Sequence, residues 1–248
     1  MNRRTFLAAT TSALLARRQS TKTRLILLGT GGGPRPRADR AASSQVIIVN
    51  GAAYVVDCGD GVAQRLAAAK IPLQTLRHIF ITHQHSDHNL DYGNLIQLAW
   101  AVGLERRVDT WGPPPLEKMT KLFLEMNEYD INIRIKDESY PPLAPLVHPH
   151  ELTQGGVVMN EGSVKVTAAL VNHPIVEPAF AYRFDTPDRS IVISGDTAYS
   201  ENLIQLAKGA DVLVHEAMVL RGSMDLRSYD RLFPNQDVLP EGGFGNLI

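Results

Sequence analysis

The chain predicts an α/β fold of the α+β kind, an αββα sandwich of two mixed β-sheets with helices outside. Three observations predict it. Apolar, β-prone runs recur in two strand-rich halves divided near residue 145, and each half also holds helical segments. Asn50-Gly51 separates two short apolar runs, the strongest local signal for a hairpin. A strand of buried type, Arg77 to Ile81, runs straight into the polar stretch Thr82-His83-Gln84-His85-Ser86-Asp87-His88.

Taken in order, residues 1–22 read as an export segment. Arg3-Arg4 stand before the modest apolar run Phe6 to Ala16, and Arg-Arg-x-Phe-Leu resembles a twin-arginine signal. That leader places the protein in the periplasm; without a working leader it stays cytoplasmic. The run is too short and too weakly apolar to span a bilayer, and no other segment reads as a membrane span. Residues 23–233 are the single domain that 248 residues with 44% hydrophobic content support, and 234–248 form an irregular, turn-rich tail.

Within the domain, Arg24 to Leu28 reads as a strand stopped by Gly29 to Pro34, and Gln45 to Val49 with Ala52 to Val56 as the hairpin. Gly61 to Lys70 has helical composition. Tyr92 to Val102 places Leu95, Leu98, Ala99 and Val102 at helical spacing. Arg107 to Trp111 is a strand, and the prolines 113–115 mark the start of a helix over Leu116 to Met126. Pro141 to Pro149 reads as a surface loop with His148 and His150 exposed. Val157 to Met159, Val164 to Val171, Phe180 to Phe184, Ile191 to Ile193 and Val212 to Val214 are further strands, with a short helix over Glu201 to Lys208.

Composition narrows the function. A net charge of −1 gives no global attraction to nucleic acid, so RNA binding would need a local basic patch. The lone Cys58 excludes an intramolecular disulfide. Three of the eight histidines and a carboxylate fall within positions 83–88. Neutral imidazole nitrogen and carboxylate oxygen suit zinc and its first-row neighbours. His83 and His85, two apart, project to one side of an extended segment, while Asp87 and His88 follow a turn; the spacing suggests two metal sites. The loop Pro34 to Arg40 carries Arg35, Arg37 and Arg40, whose guanidinium groups suit a phosphate or sulfate. A plain solvated loop weighs equally for those arginines.

His83-Gln84-His85-Ser86-Asp87-His88 resembles the HxHxDH signature of the metallo-β-lactamase-fold hydrolases. Leu25 to Pro34 is similar to the opening strand and glycine loop of the branch holding tRNase Z and the arylsulfatase-like phosphodiesterases. Val55 to Gly61 is similar to its strand-to-helix turn, Val171-Asn172-His173-Pro174 to its third motif, and Ser194-Gly195-Asp196-Thr197 to its bridging aspartate. His215-Glu216-Ala217 resembles its HEA element, so the likeness covers roughly residues 24 to 217. The resemblance implies a first metal on His83, His85 and His173 and a second on Asp87, His88 and the bridging Asp196. Zn²⁺ is the expected ion, with Mn²⁺ or Fe²⁺ as alternatives. The two ions would share a water whose pKa falls toward roughly 7, giving a metal-bound hydroxide that Asp87 orients. Asp87 and Glu216 are the expected catalytic residues, Glu216 acting on the leaving group.

The chain departs from that pattern after His215, since the branch has two later histidines and this sequence has none. The resemblance then implies a missing last strand-helix unit, a weak second metal site and a Glu216 without its histidine partner. A truncated or frame-shifted product is the favoured explanation, ahead of a partner subunit filling the gap or a degenerate relative. The expected function is a zinc-dependent hydrolase of small anionic esters (aryl sulfate or phosphodiester), impaired by the short C-terminus. The alternatives are tRNase Z-like processing of tRNA 3′ ends, a lactonase, and a non-catalytic truncated metal-binding relative. The expected partner is a small anionic ester with no strong nucleic-acid signal, and a homo-oligomer is left open. Near-neutral charge, the export-type leader and the lack of a Gly/Pro-rich basic arm weigh against tRNA.

Overall fold

The computed structural model describes residues 22–217. The expected leader (residue 22 apart), the expected tail over 234–248 and the question of a missing last strand-helix unit lie outside the described residues.

The first sheet opens as an antiparallel meander of β1 (Arg24–Gly29), β2 (Ser44–Val49) and β3 (Ala52–Val56). Asn50 and Gly51 both take positive φ, 50° and 81°. That is the turn geometry whose twist matches the flanking strands, as the Asn-Gly pair predicts. The chain then alternates helix and strand: α1 (Val62–Ala68), β4 (Leu76–Phe80), the single turn α2 (Ser86–Asn89), α3 (Tyr92–Ala101), β5 (Val108–Gly112), α4 (Leu116–Met126), α5 (Glu128–Glu138) and β6 (Val147–Glu151). Helical crossovers make β3, β4, β5 and β6 parallel, in sheet order β1-β2-β3-β4-β5-β6. The second sheet holds β7 (Gly156–Glu161), β8 (Val164–Val171), β9 (Ala179–Asp185) and β10 (Ser190–Ile193), antiparallel in turn. After α6 (Glu201–Ala207), β11 (Val212–Val214) joins β10 in parallel.

Three apolar clusters fill the three spaces between layers. Leu66, Leu95, Ile96, Trp100 and Leu116 pack α1, α3 and α4 onto the first sheet. Val56, Phe80, Val166, Tyr182 and Phe184 join the two sheets. Val171, Ala181, Val192 and Leu203 seat α6 on the far face of the second. Phe80 meets Tyr182 at 5.3 Å and Phe184 edge-on at 5.1 Å between ring centres. Each such pair contributes about 0.5–1.5 kcal/mol beyond its area. The αββα sandwich of two mixed sheets is thus observed.

Three expectations need correction. Residues 141–149 are not all loop, because Val147–Glu151 pairs with β5 as the edge strand, where Pro149 is tolerated. His148 and His150 are half-buried, not exposed: the His150 ring stacks on Trp111 at 4.0 Å and bonds Asp109 at 2.6 Å. On α3 the inward face is Tyr92, Leu95, Ile96, Ala99 and Trp100, while Leu98 and Val102 are exposed. Helix α5 escaped the sequence reading. Only Ile131 is buried on it, and its regularity lies in charges four apart, Arg134 pairing with Asp130 at 3.0 Å and Glu138 at 3.1 Å.

Asp109 ties β5 to β6. Burial opposes its charge, but hydrogen bonds from Arg107 (2.7 Å) and His150 outweigh it and bring the carboxyl down to about 2. An unfolded Asp titrates near roughly 3.9, so this contribution is complete above about pH 4 and fades as pH falls toward roughly 2. Asp109→Asn should therefore lower Tm at neutral pH, and thermal melts should find its deficit closing across that acid window. A deficit of equal size at every pH would contradict the assignment.

Candidate metal centre

Topology delivers the site. Strands β3 and β4 run parallel, and β8 and β10, each antiparallel to β9 between them, also run alike. Four loops leave the ends of these strands: Asp57 to Gly61 after β3, Thr82 to His88 after β4, Asn172 to Pro178 after β8 and Ser194 to Ala198 after β10. The Tyr182 hydroxyl donates to the Ile81 carbonyl (2.9 Å) and the Phe180 N–H to the Thr82 carbonyl (2.9 Å), locking the two sheets together beside the site. Two glycines permit the close approach. A Cβ on Gly59 would stand 2.2 Å from the Asp87 carbonyl oxygen, and one on Gly195, at φ +61°, 2.8 Å from Thr82 Cβ.

His83, His85, His173 and Asp196 each offer a ligand atom, and those atoms lie within 4.8 Å of one another. The contacts converge on His85 Nδ1, with His83 Nε2 at 3.0 Å and His173 Nε2 at 3.3 Å. His88 Nε2 lies 3.3 Å from Asp196 Oδ1 and 3.7 Å from Asp87 Oδ2. All six expected ligand positions thus meet at one point of the fold. Asp87 Oδ2 also accepts the Gly33 N–H at 2.6 Å, which pins the glycine loop over the cluster.

A buried group to which the sequence reading gave no role of its own organises this set. Asp57, 1% exposed, accepts the Thr82 N–H (2.8 Å) and hydroxyl (2.9 Å) and bonds His88 Nδ1 (2.7 Å). The Thr82 hydroxyl, having donated to Asp57, accepts from His83 Nδ1 at 3.0 Å. The network therefore places a proton on Nδ1 of both rings and turns Nε2 toward the cluster. The available signal was an Asp closing the apolar run Val55-Val56, where an unpaired carboxylate is costly.

The electrostatics follow. Burial first, then the neighbouring His88 charge, depresses His83 to about 2, so its imidazole is neutral. Burial likewise lowers His173. Burial opposes the charge of His88, but Asp57 and Asp196 flank it and hold its pKa well above the usual imidazole range. Asp196 is opposed by burial too, yet the hydrogen bond and charges of the surrounding imidazoles bring it to about 2. The neutral imidazoles of His83 and His173, crowded against His85 beside the ionised Asp196, form a donor set that suits a divalent cation. His173 Nδ1 is buried without a hydrogen-bond partner among the described residues.

Glu216 sits at the margin. Its carboxylate accepts the Thr197 N–H, its own N–H donates to Ser194 Oγ at 3.1 Å, and burial with the Asp196 charge pushes it up to about 7. Cys58 is fully buried and its thiol is pushed up by burial, which keeps it unreactive. Arg35, Arg37 and Arg40 are exposed and, with Gly33, Ser86 and Asp87, line a cavity of about 150 Å³. Arg40 pairs with Asp39 at 2.7 Å and Arg37 donates to the Gly32 carbonyl at 3.1 Å.

Removing the Asp57 charge should disturb both rings without touching a ligand. Asp57→Asn is expected to weaken divalent-metal binding by about 10–100-fold in a chelator-competition titration. Unaltered affinity would contradict the role given to this carboxylate.

Comparison with known proteins places this geometry. Residues 53–226 match the family described as beta-lactamase superfamily domain. Residues 205–248 match a second description, the archaeo-eukaryotic primase domain of the TOTE conflict system, mostly outside the described residues. Ribonuclease Z of Mycobacterium sp. strain KMS is 38% identical over 194 residues, covering 77% of this chain and 67% of that protein. Ribonuclease Z of Mycobacterium bovis strain BCG / Pasteur 1173P2 is 34% identical, covering 77% and 69%. The crystal structure of human tRNase Z, short form, superposes with a TM-score of 0.66 at 21% identity, covering 86% of this chain and 89% of that one. The chain belongs to the β-lactamase superfamily: it has the metallo-β-lactamase fold of a hydrolase, with ribonuclease Z enzymes as its relatives. Two expectations fall with this finding. The arylsulfatase-like, small-ester reading is overturned by relatives named for cleaving RNA, and so is the expectation of a small-ester partner with no strong nucleic-acid signal. The physical error was to read a net charge of −1 as evidence against RNA, when three arginines lie within six residues beside Asp87.

Proposed function

We propose that this superfamily member is a metal-dependent endoribonuclease of ribonuclease Z type, cutting a phosphodiester bond near the 3′ end of precursor tRNA. The observation that carries the reading is the four-donor cluster of His83, His85, His173 and Asp196 beside a cationic loop, in a chain whose relatives are named ribonuclease Z. Zinc is the ion proposed, on the preference of imidazole with carboxylate. Those four residues would hold one ion and His88, Asp87 and Asp196 a second. The bound metal supplies Lewis acidity and a water activated near neutral pH.

The chain's own groups do the rest. Asp57 and Thr82 hold the His88 and His83 rings with Nε2 inward, so no ligand has to reorient when substrate arrives. Asp87, fixed by the Gly33 N–H, orients the attacking oxygen. Glu216, tethered to the residue after Asp196, is the group placed to hand a proton to the leaving oxygen. Arg35, Arg37 and Arg40 face solvent on the Asp87 side and suit the RNA backbone through paired hydrogen bonds.

The full zinc-loaded chain should cut a precursor tRNA transcript at one position near its 3′ end. Chelation should stop the cut, added zinc restore it, and Asp87→Ala abolish it. A loaded chain that leaves the transcript whole would overturn the reading. Replacing the three arginines with alanine should weaken RNA binding and make log K fall less steeply with log salt, by about one unit of slope for each phosphate no longer neutralised. A slope that stays the same would remove those residues from the interface.

A further inference from the structure

A second opening lies between the loop that follows β8 and the segment that follows Asp196. A groove of about 460 Å³ is lined by Leu170 and Ala179 from β8 and β9, by Glu177 and Pro178 from the loop after His173, and by Tyr199 and Glu201 from the start of α6. Both walls are continuations of the loops that carry ligand positions. Tyr199 is three residues past Asp196, at most about 11 Å of chain. The two loops are joined where the Ala198 N–H donates to the Asn172 carbonyl at 2.7 Å.

The lining excludes one ligand class and favours another. None of the lining residues is basic and two are carboxylates, so a phosphate would be repelled. Tyr199 is 58% exposed, and its hydroxyl donates to Glu201 Oε2 at 2.9 Å, which fixes the phenol without covering the ring. An anchored, open aromatic face suits a flat heterocycle, and an exposed carboxylate such as Glu177 suits hydroxyl or amino donors. A nucleoside has both. The wall after His173 also stores strain: Ile175 is β-branched, sits at φ +65° and is 90% exposed. That conformation is unfavourable for a β-branched residue, and exposure leaves no packing to offset it.

We infer that this groove binds an unpaired nucleoside of the RNA beside the scissile phosphate, its base on Tyr199 and its hydroxyl or amino donors on Glu177. The inference rests on the ribonuclease reading above. It divides the substrate by charge, phosphates toward Arg35, Arg37 and Arg40 and a neutral ring toward Tyr199.

Uridine, which carries no phosphate, is the probe. In saturation-transfer NMR on the full zinc-loaded chain its base protons should receive saturation from the protein. Tyr199→Ala should weaken that binding about tenfold, Tyr199→Phe should retain it, and Glu177→Ala should weaken it several-fold. No saturation transfer with the parent chain, or equal transfer with parent and Tyr199→Ala, would overturn the groove. Tyr199-dependent binding in a chain that cuts no precursor tRNA would support the groove and count against the ribonuclease reading alone.

Discussion

One buried carboxylate holds the centre together. Asp57 is the hub of a chain of bonds that starts at the ends of β3 and β4 and finishes at two imidazoles. Buried without partners, such a charge would destabilise the fold by several kcal/mol. Fully bonded, it converts that penalty into geometry: it spaces two strand ends, orients His88 directly and orients His83 through Thr82. The Cys58 N–H donating to the His88 carbonyl at 2.6 Å and the Gly61 N–H donating to Asp91 at 2.7 Å brace the same turn. Ligand positions held this way lose little freedom on binding, which is where the affinity and precision of a metal site come from.

The second constraint is directional. Side chains from residues 57 to 196 meet because parallel β3 and β4 end where β8 and β10 end. Each sheet contributes part of the donor set, so neither half of the chain can build the centre alone. The inter-sheet aromatic cluster of Phe80, Tyr182 and Phe184 fixes their spacing, and the Tyr182 hydroxyl extends that packing to the backbone just before Thr82. Small residues at Gly59 and Gly195 then let the loops close to contact distance.

Much of this was legible in the residues. Asn50-Gly51 announced its hairpin because only a few residues accept two successive positive φ angles. The strands of the second sheet were plain because each alternates or runs apolar over a length helices rarely use. His83, His85, Asp87 and His88 stood out as a dense cluster after a buried strand, and they do converge with His173 and Asp196. What escaped detection is what pattern does not encode. Asp57 looks like any polar residue ending a strand, and its burial depends on Thr82 and His88, far off in sequence. Helix α5 carries a charge period where an apolar one was sought. His150 finds Trp111 and Asp109 only through the parallel pairing of β5 with β6.

Net charge proved a poor guide to partner, since the chain keeps its charges in separate cavities: arginines in the one lined by Asp87, carboxylates and an open phenol in the other. Every functional claim nonetheless depends on a cation lying between histidines contributed by both sheets. An anomalous difference map collected at the zinc edge on crystals of the metal-loaded chain tests this most directly. The account predicts a peak within bonding distance of His83, His85 and His173, with Asp196 alongside. Well-ordered crystals that show density for these side chains but no anomalous peak among them would contradict it.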